Sequence, residues 1–467
     1  LAVRGSGVNL IAEQGGIGTA ENPFHFEAAS SGQLTAQASG SVYLIAPTTG
    51  LVNLGDITSG GVLVVEGAGQ LHVSGLLTAS GALNLSSGGS IVAGPSSKMA
   101  SMGKLTLTGL NITMAEGSSA ESEDDMEITA AGSAELSTLQ ASNVAISAGG
   151  AVAQAANSGI TAGTLAVSSQ GQQRLDGANQ VGSFTAANSG AGGITLHNTG
   201  DLVIGGLTQA SGGDIDLVNA GDLEIAGDIT TTGRVALEAE GRIVEKAEGK
   251  ITAASLTVSS TGGQGLLGDN RVQSFEAQNL GGDIELNNSS AELKVMGIGQ
   301  ADGGNIVISN QDGGIAINGL VRTEDSISLI SQGSITQEAG GRFADAASLN
   351  THSVGGQELL GDNTVQRFSA VNAGGGRVAL RNTASILEVD RISQAEGGDI
   401  ELASAGDVEI TGDIATTGRV RLEAGGRITE EAAGRIAAAG LETASIGGQR
   451  LLGDNRVQSF EAQNLGG

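Results

Sequence analysis

Four histidines are the side chains of this sequence best suited to acid–base or metal chemistry near neutral pH. They are His25, His72, His197 and His352, and consecutive ones lie 47 to 155 residues apart. A catalytic or zinc-binding histidine needs other polar groups beside it, and these spacings follow no repeat of the chain. We therefore expect the histidines in turns or facing solvent, and the sequence predicts no catalytic, cofactor-binding or metal-binding residue.

The densest acidic segment runs from Glu121 to Glu127 (ESEDDME). Ca²⁺ takes several oxygen ligands, but the segment lacks the spacing of the EF-hand loop, so a solvated loop is predicted and calcium binding is left open. A second segment, from Gly262 to Asp269 (GGQGLLGD), is similar to a calcium-binding GGxGxD nonapeptide. Its aspartate comes too late and the nine-residue period is missing, so we reject it as a site.

Chance pairs of carboxylates are expected among 50 acidic residues, and two carboxylates are what glycoside hydrolases use. Enzymes built on stacked β-coils place such groups in a cleft formed by long loops. The turns here are short, and aromatic residues, which would stack on sugar rings, make up only 2% of the chain. The protein is therefore predicted not to be an enzyme, and a carbohydrate-active enzyme is kept as the second alternative.

The charge balance narrows the range of partners. The 467-residue chain has 50 acidic and 22 basic residues and a net charge of −28. Nucleic acid is not an expected partner, because binding to phosphates needs clustered lysine and arginine. No stretch approaches the roughly 18–20 apolar residues of a membrane-spanning helix, so the chain is predicted not to span a membrane. Cysteine is absent, which rules out disulfides.

The chain contains a long internal repeat, which determines how it is organised. The 17 residues from Leu266 to Gly282 (LLGDNRVQSFEAQNLGG) return unchanged from Leu451 to Gly467. Two weaker copies exist, and the phenylalanines of the four copies follow one another at intervals of 91, 93 and 92 residues: Phe184, Phe275, Phe368 and Phe460. A sustained period of this kind indicates a repeat array.

Short apolar bursts predict the elements of the array. The bursts that begin at Asp283, Asn305 and Asp399 (DIEL, NIVI and DIEL) alternate aliphatic with polar or small residues, as half-buried strands do. Neighbouring strong bursts begin roughly 20 to 23 residues apart, which suits a coil that climbs one strand separation per turn. The predicted fold is all-β, a right-handed parallel β-helix (solenoid) with ~92-residue repeats of four to five coils each.

Three other classes of structure fit less well. An antiparallel sandwich would need longer strands and an aromatic core. Collagen is excluded because glycine has no three-residue period. Disorder, the simplest interpretation of a chain with 78 glycines, is disfavoured by the regular apolar bursts between them.

The two parts of the chain differ in regularity. Residues 1–130 contain all three prolines and the one tyrosine, and the 92-residue spacing cannot be followed there. We interpret them as degenerate coils of the same β-helix and residues 131–467 as the regular repeat array. The sequence starts at Leu1 rather than methionine and stops within a repeat at Gly467, so we expect it to be a fragment of a longer protein.

The repeated residues have expected roles. Each phenylalanine is predicted to be a core plug that fills a wide corner of the interior once per repeat. An asparagine follows four residues after each one: Asn188, Asn279, Asn372 and Asn464. These are predicted to be turn residues with a local role, because asparagine tolerates the left-handed conformation and the 92-residue period keeps equivalent coils apart.

The stretch from Gly15 to Pro23 (GGIGTAENP) resembles the GxIGTxxNP stretches of filamentous haemagglutinin-like large adhesins. The run from Gly40 to Leu44 (GSVYL) is similar to the strand that often follows in those proteins. The resemblance implies a β-helical shaft region of a two-partner secretion exoprotein, exported by an outer-membrane secretion partner to the surface of a Gram-negative bacterium. Neither an NPNG-type secretion motif nor Arg-Gly-Asp occurs in this sequence.

The leading hypothesis is therefore a structural one. The chain is predicted to be the shaft of a secreted or cell-surface filamentous haemagglutinin-like adhesin, mediating adhesion to host or neighbouring-cell glycans or proteins. The alternative is a self-associating extracellular fibre or sheath protein. Near-identical copies favour a shaft, because a shaft is selected for its length rather than for one unique site.

Overall fold

The alternation of aliphatic and polar residues produces strands along the whole chain. A computed structural model of the protein describes residues 3–28 and 32–466, and every regular element within them is a β-strand. In strand Ile306–Asn310, Ile306 and Ile308 are buried while Val307 and Ser309 are half-buried on the outer side. A strand with one apolar face has to stack on others to bury that face. The all-β prediction is confirmed.

The chain divides into two compact units, residues 1–236 and 237–467. The strands that begin in the first unit are β1 (Val3–Gly5), β2 (Val8–Ala12), β3 (Phe24–Ala28), β4 (Gln33–Ala38), β5 (Val42–Ala46), β6 (Val52–Ser59), β7 (Leu63–Gly67), β8 (Leu71–Val73), β9 (Leu76–Ala79), β10 (Leu83–Ser87), β11 (Ile91–Ala93), β12 (Lys98–Ser101), β13 (Leu105–Gly109), β14 (Ile112–Met114), β15 (Ser119–Ser122), β16 (Asp125–Ala130), β17 (Ala134–Leu136), β18 (Thr138–Gln140), β19 (Asn143–Ala148), β20 (Val152–Gln154), β21 (Ile160–Ser169), β22 (Gln173–Asn188), β23 (Ile194–Asn198), β24 (Leu202–Gln209), β25 (Ile215–Asn219), β26 (Leu223–Ile225), β27 (Ile229–Thr230) and β28 (Arg234–Ala239).

The second unit continues with strands of the same kind. They are β29 (Ile243–Glu245), β30 (Ile251–Ser260), β31 (Gln264–Asn279), β32 (Ile284–Asn288), β33 (Glu292–Gln300), β34 (Ile306–Asn310), β35 (Gly314–Ile317), β36 (Leu320–Arg322), β37 (Ser326–Ser331), β38 (Ile335–Gln337), β39 (Arg342–Ala344), β40 (Ala346–Ser353), β41 (Gln357–Asn363), β42 (Val365–Asn372), β43 (Val378–Asn382), β44 (Ile386–Gln394), β45 (Ile400–Ser404), β46 (Asp407–Ile410), β47 (Asp413–Ala415), β48 (Arg419–Ala424), β49 (Ile428–Glu430), β50 (Arg435–Ser445), β51 (Gln449–Arg450) and β52 (Arg456–Asn464).

Each strand pairs in parallel with a strand one coil away. The offset between paired residues ranges from 18 residues, between Met126 and Val144, to 26, between Val8 and Leu34. Strands of successive coils stack in this way in both units, as in a solenoid. The strands β7, β10, β13 and β16 stack in the first unit, and β32, β34, β37 and β40 stack in the second. The prediction of a parallel β-solenoid is thus confirmed, and the antiparallel sandwich is excluded for the described residues.

The core is a set of aliphatic columns between the stacked strands. One column in the second unit contains, coil after coil, Ile284, Ile306, Ile327, Leu349 and Phe368. All five are fully buried, and each buried aliphatic side chain contributes about 1.5–3 kcal/mol relative to exposure. Small branched side chains therefore build the core, as the composition indicates.

The columns are rearranged once in each complete copy of the repeat. The first half of β31 pairs with β32 and the second half with β33, and β33 then pairs with both β35 and β36. The same branching occurs at β42, β44, β46 and β47. The repeated phenylalanines have equivalent neighbours at these places: Phe275 lies between Leu256 and Val295, and Phe368 between Leu349 and Val389.

Some expectations about the chain's organisation stay predictions. Parallel pairing is found in residues 33–130 as well as beyond them, but a division at residue 130 is neither shown nor excluded. Leu1 and Gly467, the ends of the predicted domains, lie outside the described residues. In the part of the chain that the structure describes, no helix is long and apolar enough to cross a membrane.

Replacing Phe275 by alanine tests the stacking. Phe275 is fully buried between Leu256 and Val295 of the neighbouring coils, so Phe275→Ala is expected to cost about 3–5 kcal/mol. The loss should stay local, because coils contact mainly their neighbours. Hydrogen exchange should accelerate in β30, β31 and β33 and remain unchanged in β45.

Phe460 supplies the matched control for this substitution. It occupies the same place in the identical copy but is 57% exposed, so Phe460→Ala should leave exchange almost unchanged. Equal effects of the two substitutions would contradict the assignment of Phe275 to the core.

Candidate functional site

The repeated segment forms an outward bulge in each of its first three copies. In the second copy Leu266 pairs with Leu286 and Asn270 with Asn288, so that residues 267–269 lie opposite a single residue of the next coil. The same shift occurs between Leu175 and Asn179 and between Leu359 and Asn363. We call residues 176–178, 267–269 and 360–362 the bulges. A bulge of this kind turns side chains outward, and Leu267 is 58% exposed as a result.

An inward-facing asparagine closes each bulge. Asn270 is fully buried; its Oδ1 accepts a hydrogen bond from the Ile251 N–H (2.7 Å), and its Nδ2 donates to the carbonyls of Leu266 (3.2 Å) and Asn287 (3.1 Å). Asn179 and Asn363 make the equivalent contacts. The amide thus satisfies backbone groups that the bulge removes from the strand ladder, which is the condition for burying them.

A second polar side chain, half-buried where it is glutamine and buried where it is glutamate, reaches each of these asparagines and Asn455 of the fourth copy from the preceding coil. We call this position the clasp; it is Gln154, Glu245, Gln337 and Glu430 in the four copies. The Gln337 Oε1 accepts from the Gly361 N–H (2.7 Å) and from Asn363 Nδ2 (3.1 Å), while its Nε2 donates to Asn363 Oδ1 (2.7 Å). The clasp therefore ties the bulge to the coil before it.

The clasp alternates between an amide and a carboxylate. The Glu430 Oε2 accepts from the Gly453 N–H (2.9 Å) and from Asn455 Nδ2 (2.7 Å), which reproduces the contacts of Gln337 Oε1. Its other oxygen, Oε1, takes the place of the donating amide, and no hydrogen-bond partner for it is found in the described residues. Because Glu430 is only 2% exposed, this copy satisfies fewer polar atoms than the glutamine copies do.

A further series of buried asparagines continues from the bulges into the following coils. Asn288 Nδ2 donates to Asn310 Oδ1 (3.1 Å), and Asn198 Nδ2 donates to Asn219 Oδ1 (3.0 Å). The sequence analysis missed this series. Its signal is an asparagine that ends an alternating burst, as in ITLHN, IDLVN, IELNN and IVISN, where the alternation itself places the asparagine inward.

The repeated asparagines bind the turn that follows them, as predicted, and Asn279 Nδ2 donates to the carbonyls of Gly281 (2.8 Å) and Gly282 (2.9 Å). Their predicted left-handed geometry and purely local role were wrong. Asn279 ends β31 without left-handed geometry, since Ser96 and Asp345 are the non-glycine residues with positive φ in the described chain. It is buried, and its Oδ1 accepts from Ser260 Oγ (2.9 Å) and the Gly263 N–H (3.1 Å) of the preceding coil. Asn279 thus joins two coils as well as binding the turn that follows it. Asn188 and Asn372 are likewise buried, and Asn464 is exposed.

The predicted core plugs are confirmed for Phe184, Phe275 and Phe368, which are fully buried. Phe460 is exposed, contrary to the prediction. It lies on β52, which pairs with β50, and within the described residues no strand covers its other side.

The histidines lie apart in the structure. His25, His197 and His352 are exposed, whereas His72 is half-buried with its Nδ1 3.0 Å from Asn53 Oδ1. Among residues 3–28 and 32–466, no three histidine or acidic side chains form a group that could hold a metal ion. The chemistry-bearing residues of the sequence are therefore not brought together at one place.

The acidic segment is partly neutralised by lysines of the preceding coil. Glu121 pairs with Lys98 (2.6 Å) and Glu127 with Lys104 (2.5 Å). The hydrogen bond and charge of Glu127 raise the pKa of Lys104 above its ordinary value. The rejected segment at 262–269 contributes the beginning of β31 and the second bulge.

Charged groups on the outer faces are arranged in similar ladders. Arg377 lies between Glu358 (3.0 Å) and Glu401 (3.2 Å) of the adjacent coils, and the hydrogen bond to Glu358 is the main reason that its pKa is raised. Burial alone would raise the pKa of Asp176, but hydrogen bonds from Arg174 and Thr195 outweigh it and lower that pKa. Exposed pairs of this kind add little stability each.

The two stretches that carry the family resemblance lie against each other. Ile17 forms a parallel bridge to Val42 of β5; its N–H donates to the Ser41 carbonyl (2.9 Å), and the Tyr43 N–H donates to the Ile17 carbonyl (2.8 Å). Gly18 has φ of +68°, and a Cβ there would lie 2.7 Å from the Tyr43 carbonyl oxygen. The glycine is therefore required by both its conformation and its close contact.

Exchanging the clasp residues tests the amide–carboxylate difference. Glu430→Gln should slow hydrogen exchange of the Gly453 N–H by stabilising its coil by about 1 kcal/mol, because the new Nε2 can donate to Asn455 Oδ1. The reciprocal change, Gln337→Glu, should destabilise the coil of Gly361 by about 1–3 kcal/mol, since it replaces the donor to Asn363 Oδ1 by a carboxylate oxygen. Opposite signs in the two variants are the expected result; the same sign in both would contradict the account of the clasp.

Comparison with protein-family models, with curated proteins and with solved structures gives no significant match to this chain. The comparisons therefore name no family, and the resemblance of residues 15–23 to filamentous haemagglutinin-like adhesins stays a prediction. What the geometry itself provides is a repeated structural device, in which bulge, asparagine and clasp join successive coils.

Proposed function

We propose that this chain is the structural shaft of a secreted or cell-surface filamentous haemagglutinin-like adhesin. In this proposal the solenoid is a right-handed parallel β-helix with ~92-residue repeats of four to five coils each. It lies outside a bacterial cell, reaches the surface through an outer-membrane secretion partner, and carries regions that contact glycans or proteins of a host or a neighbouring cell. It performs no catalysis.

The observation that carries the proposal is that the repeated residues serve stacking. The segment that occurs twice without change contains the core plug Phe275, the bulge asparagine Asn270 and the inter-coil asparagine Asn279, and all three residues are buried. Repeated residues that serve packing rather than contact with a ligand suit a shaft. Each added copy can then stack on the one before it and add length.

The surface also supports a shaft over a laterally bundled fibre. The exposed leucines of two successive bulges, Leu267 and Leu360, follow Leu266 and Leu359, which belong to columns that continue through Leu286 and Leu380 respectively. In the second unit Leu286 stacks on Ile308 and Leu329, whereas Leu380 stacks on Leu402 and Leu422. The bulges thus lie on different columns and form no continuous apolar stripe along which rods would associate.

The two identical copies allow the shaft to be shortened without a new junction. Deleting residues 267–451 joins Leu266 to Leu452 and leaves the repeated segment intact. The deletion removes about nine coils, or roughly 40 Å at ~4.8 Å per coil. In the bacterium that produces the protein, we expect the shortened form to fold, to be labelled by immunogold outside the cell, and to support adhesion at a shorter distance.

A deletion of residues 267–441 is the matched control, because it breaks the phase of the repeat and should leave the protein degraded. Two results would contradict the proposal. The first is localisation of the intact protein inside the cell. The second is loss of adhesion by the 267–451 deletion when that form is still displayed at the surface, since adhesion would then depend on a site within the removed coils.

A further inference from the structure

The outer face of the second unit carries a groove with an apolar lining. Its volume is about 560 Å³, and the residues that line it include Leu280, Met296, Gly297, Gly299 and Leu320. The leucines and the methionine are exposed there. Apart from its chain neighbours, the one heavy atom among the described residues within 4 Å of a Cβ built on Gly297 is the Leu320 carbonyl oxygen, at 3.6 Å. The glycine therefore leaves a hole beside an exposed leucine.

Four outward residues on successive coils form a column across this groove. Glu276 pairs with Gly297, and Leu320 pairs with Arg342. Gly297 lies beside Leu320, because the residues that follow these two are paired with each other. We call Glu276, Gly297, Leu320 and Arg342 the groove column. It presents, in order, a negative charge, a hole, an aliphatic side chain and a positive charge.

The third copy of the repeat shows what is unusual about the groove column. The equivalent residues there are Ser369, Arg391, Asp413 and Arg435. Asp413 forms an ion pair with Arg435 (3.0 Å), whereas Leu320 takes the place of that aspartate in the groove column. In the part of the chain that the structure describes, neither Glu276 nor Arg342 has an ion-pair partner. The groove column thus ends in two charges that are not paired within the chain.

We propose that the groove column is a self-complementary interface at which a second molecule of this chain binds in the opposite direction. A two-fold axis that lies in the interface, perpendicular to the column and between Gly297 and Leu320, reverses the order of the column. Glu276 then faces Arg342 of the second molecule, and Leu320 faces the hole at Gly297 of the second molecule. Each contact occurs twice. This inference does not depend on the proposed function.

The neighbouring outward column fits the same axis. Gln278 pairs with Gly299, and Arg322 pairs with Ala344. The axis places Arg322, which Asp345 holds at 2.8 Å, opposite Gly299 of the second molecule. It places Gln278 opposite the small side chain of Ala344. The Gln278 amide reaches over Gly299 within one molecule, but it is the end of a flexible side chain and can turn aside. Large side chains therefore face small ones in both columns.

The symmetry and size of the contact determine what kind of assembly it forms. Because the interface binds a copy of itself, it closes as a dimer and does not extend into a bundle. The groove column spans three coil steps, or about 14 Å at ~4.8 Å per coil, so the dimer should be weak. The net charge of −28 opposes association, but at about 0.15 M salt this repulsion is screened beyond roughly 8 Å. The two ion pairs at the contact provide local complementarity.

Sedimentation equilibrium of the 467-residue protein tests the proposal, at about 0.15 M salt and protein concentrations up to about 1 mM. We expect a monomer–dimer equilibrium that Leu320→Asp weakens by at least about tenfold. The variant should fold, because Asp413 occupies the equivalent position of the third copy and pairs with its arginine. Gly297→Arg fills the hole with the residue found at Arg391 and should weaken the dimer equally. Leu360→Asp, which alters an exposed leucine outside the groove, is the control and should leave the dimer unchanged.

Charge reversal distinguishes a two-fold contact from other association. Glu276→Arg and Arg342→Glu should each weaken the dimer by at least about tenfold, because like charges then face each other. An equimolar mixture of these two variants should associate as the unaltered protein does, since every arginine again faces a glutamate. A monomer at about 1 mM unaltered protein would overturn the proposal. Association that Leu320→Asp leaves unchanged, or a mixture that does not recover association, would overturn it as well.

Discussion

Parallel hydrogen bonding between successive coils is the interaction on which the rest of the structure depends. A strand inside such a stack divides its backbone N–H and C=O groups between the coil before and the coil after it. It also buries its apolar face only against those two neighbours. Ile306, for example, lies between Ile284 and Ile327 and is fully buried by them. Any departure from the regular ladder has to be compensated by side chains, since buried backbone groups need hydrogen-bond partners.

The bulge, the inward asparagine and the clasp form that compensation. Where residues 267–269 leave the ladder, Asn270 supplies the missing donors and acceptors, and Glu245 binds the Gly268 N–H (2.6 Å) from the coil before. In the same strand, β31, the pairing passes from β32 to β33. The bulge asparagine, the phenylalanine and the inter-coil asparagine recur in all four copies, because the architecture constrains these positions most.

The sequence predicted the strands, their parallel stacking and three of the four phenylalanines, because alternation and glycine-bounded bursts depend on local residue pattern. It did not predict the buried amides. A polar residue is normally assigned to the outer face, so the inward direction that alternation gives to Asn288 was overlooked. The bulge interrupts the alternation before Asn270, whose inward direction depends on the register with a coil about 20 residues away. The inter-coil hydrogen bonds of Asn279 were missed for the same reason, because Ser260 and Gly263 lie in another coil. The exposure of Phe460 depends on which strands are present beside β52, which no local pattern contains.

Cysteine cross-linking measures the inter-coil register most directly. Glu285 and Val307 face outward on β32 and β34 and are paired, and directly opposed residues lie within the Cα separation that a disulfide requires. The double variant Glu285→Cys/Val307→Cys should form an intramolecular disulfide on mild oxidation. The variant Glu285→Cys/Ser309→Cys, displaced by two residues, should not, since its Cα atoms would be about 8 Å apart. Efficient cross-linking of the displaced pair, with none in the registered pair, would contradict the stacked-coil account.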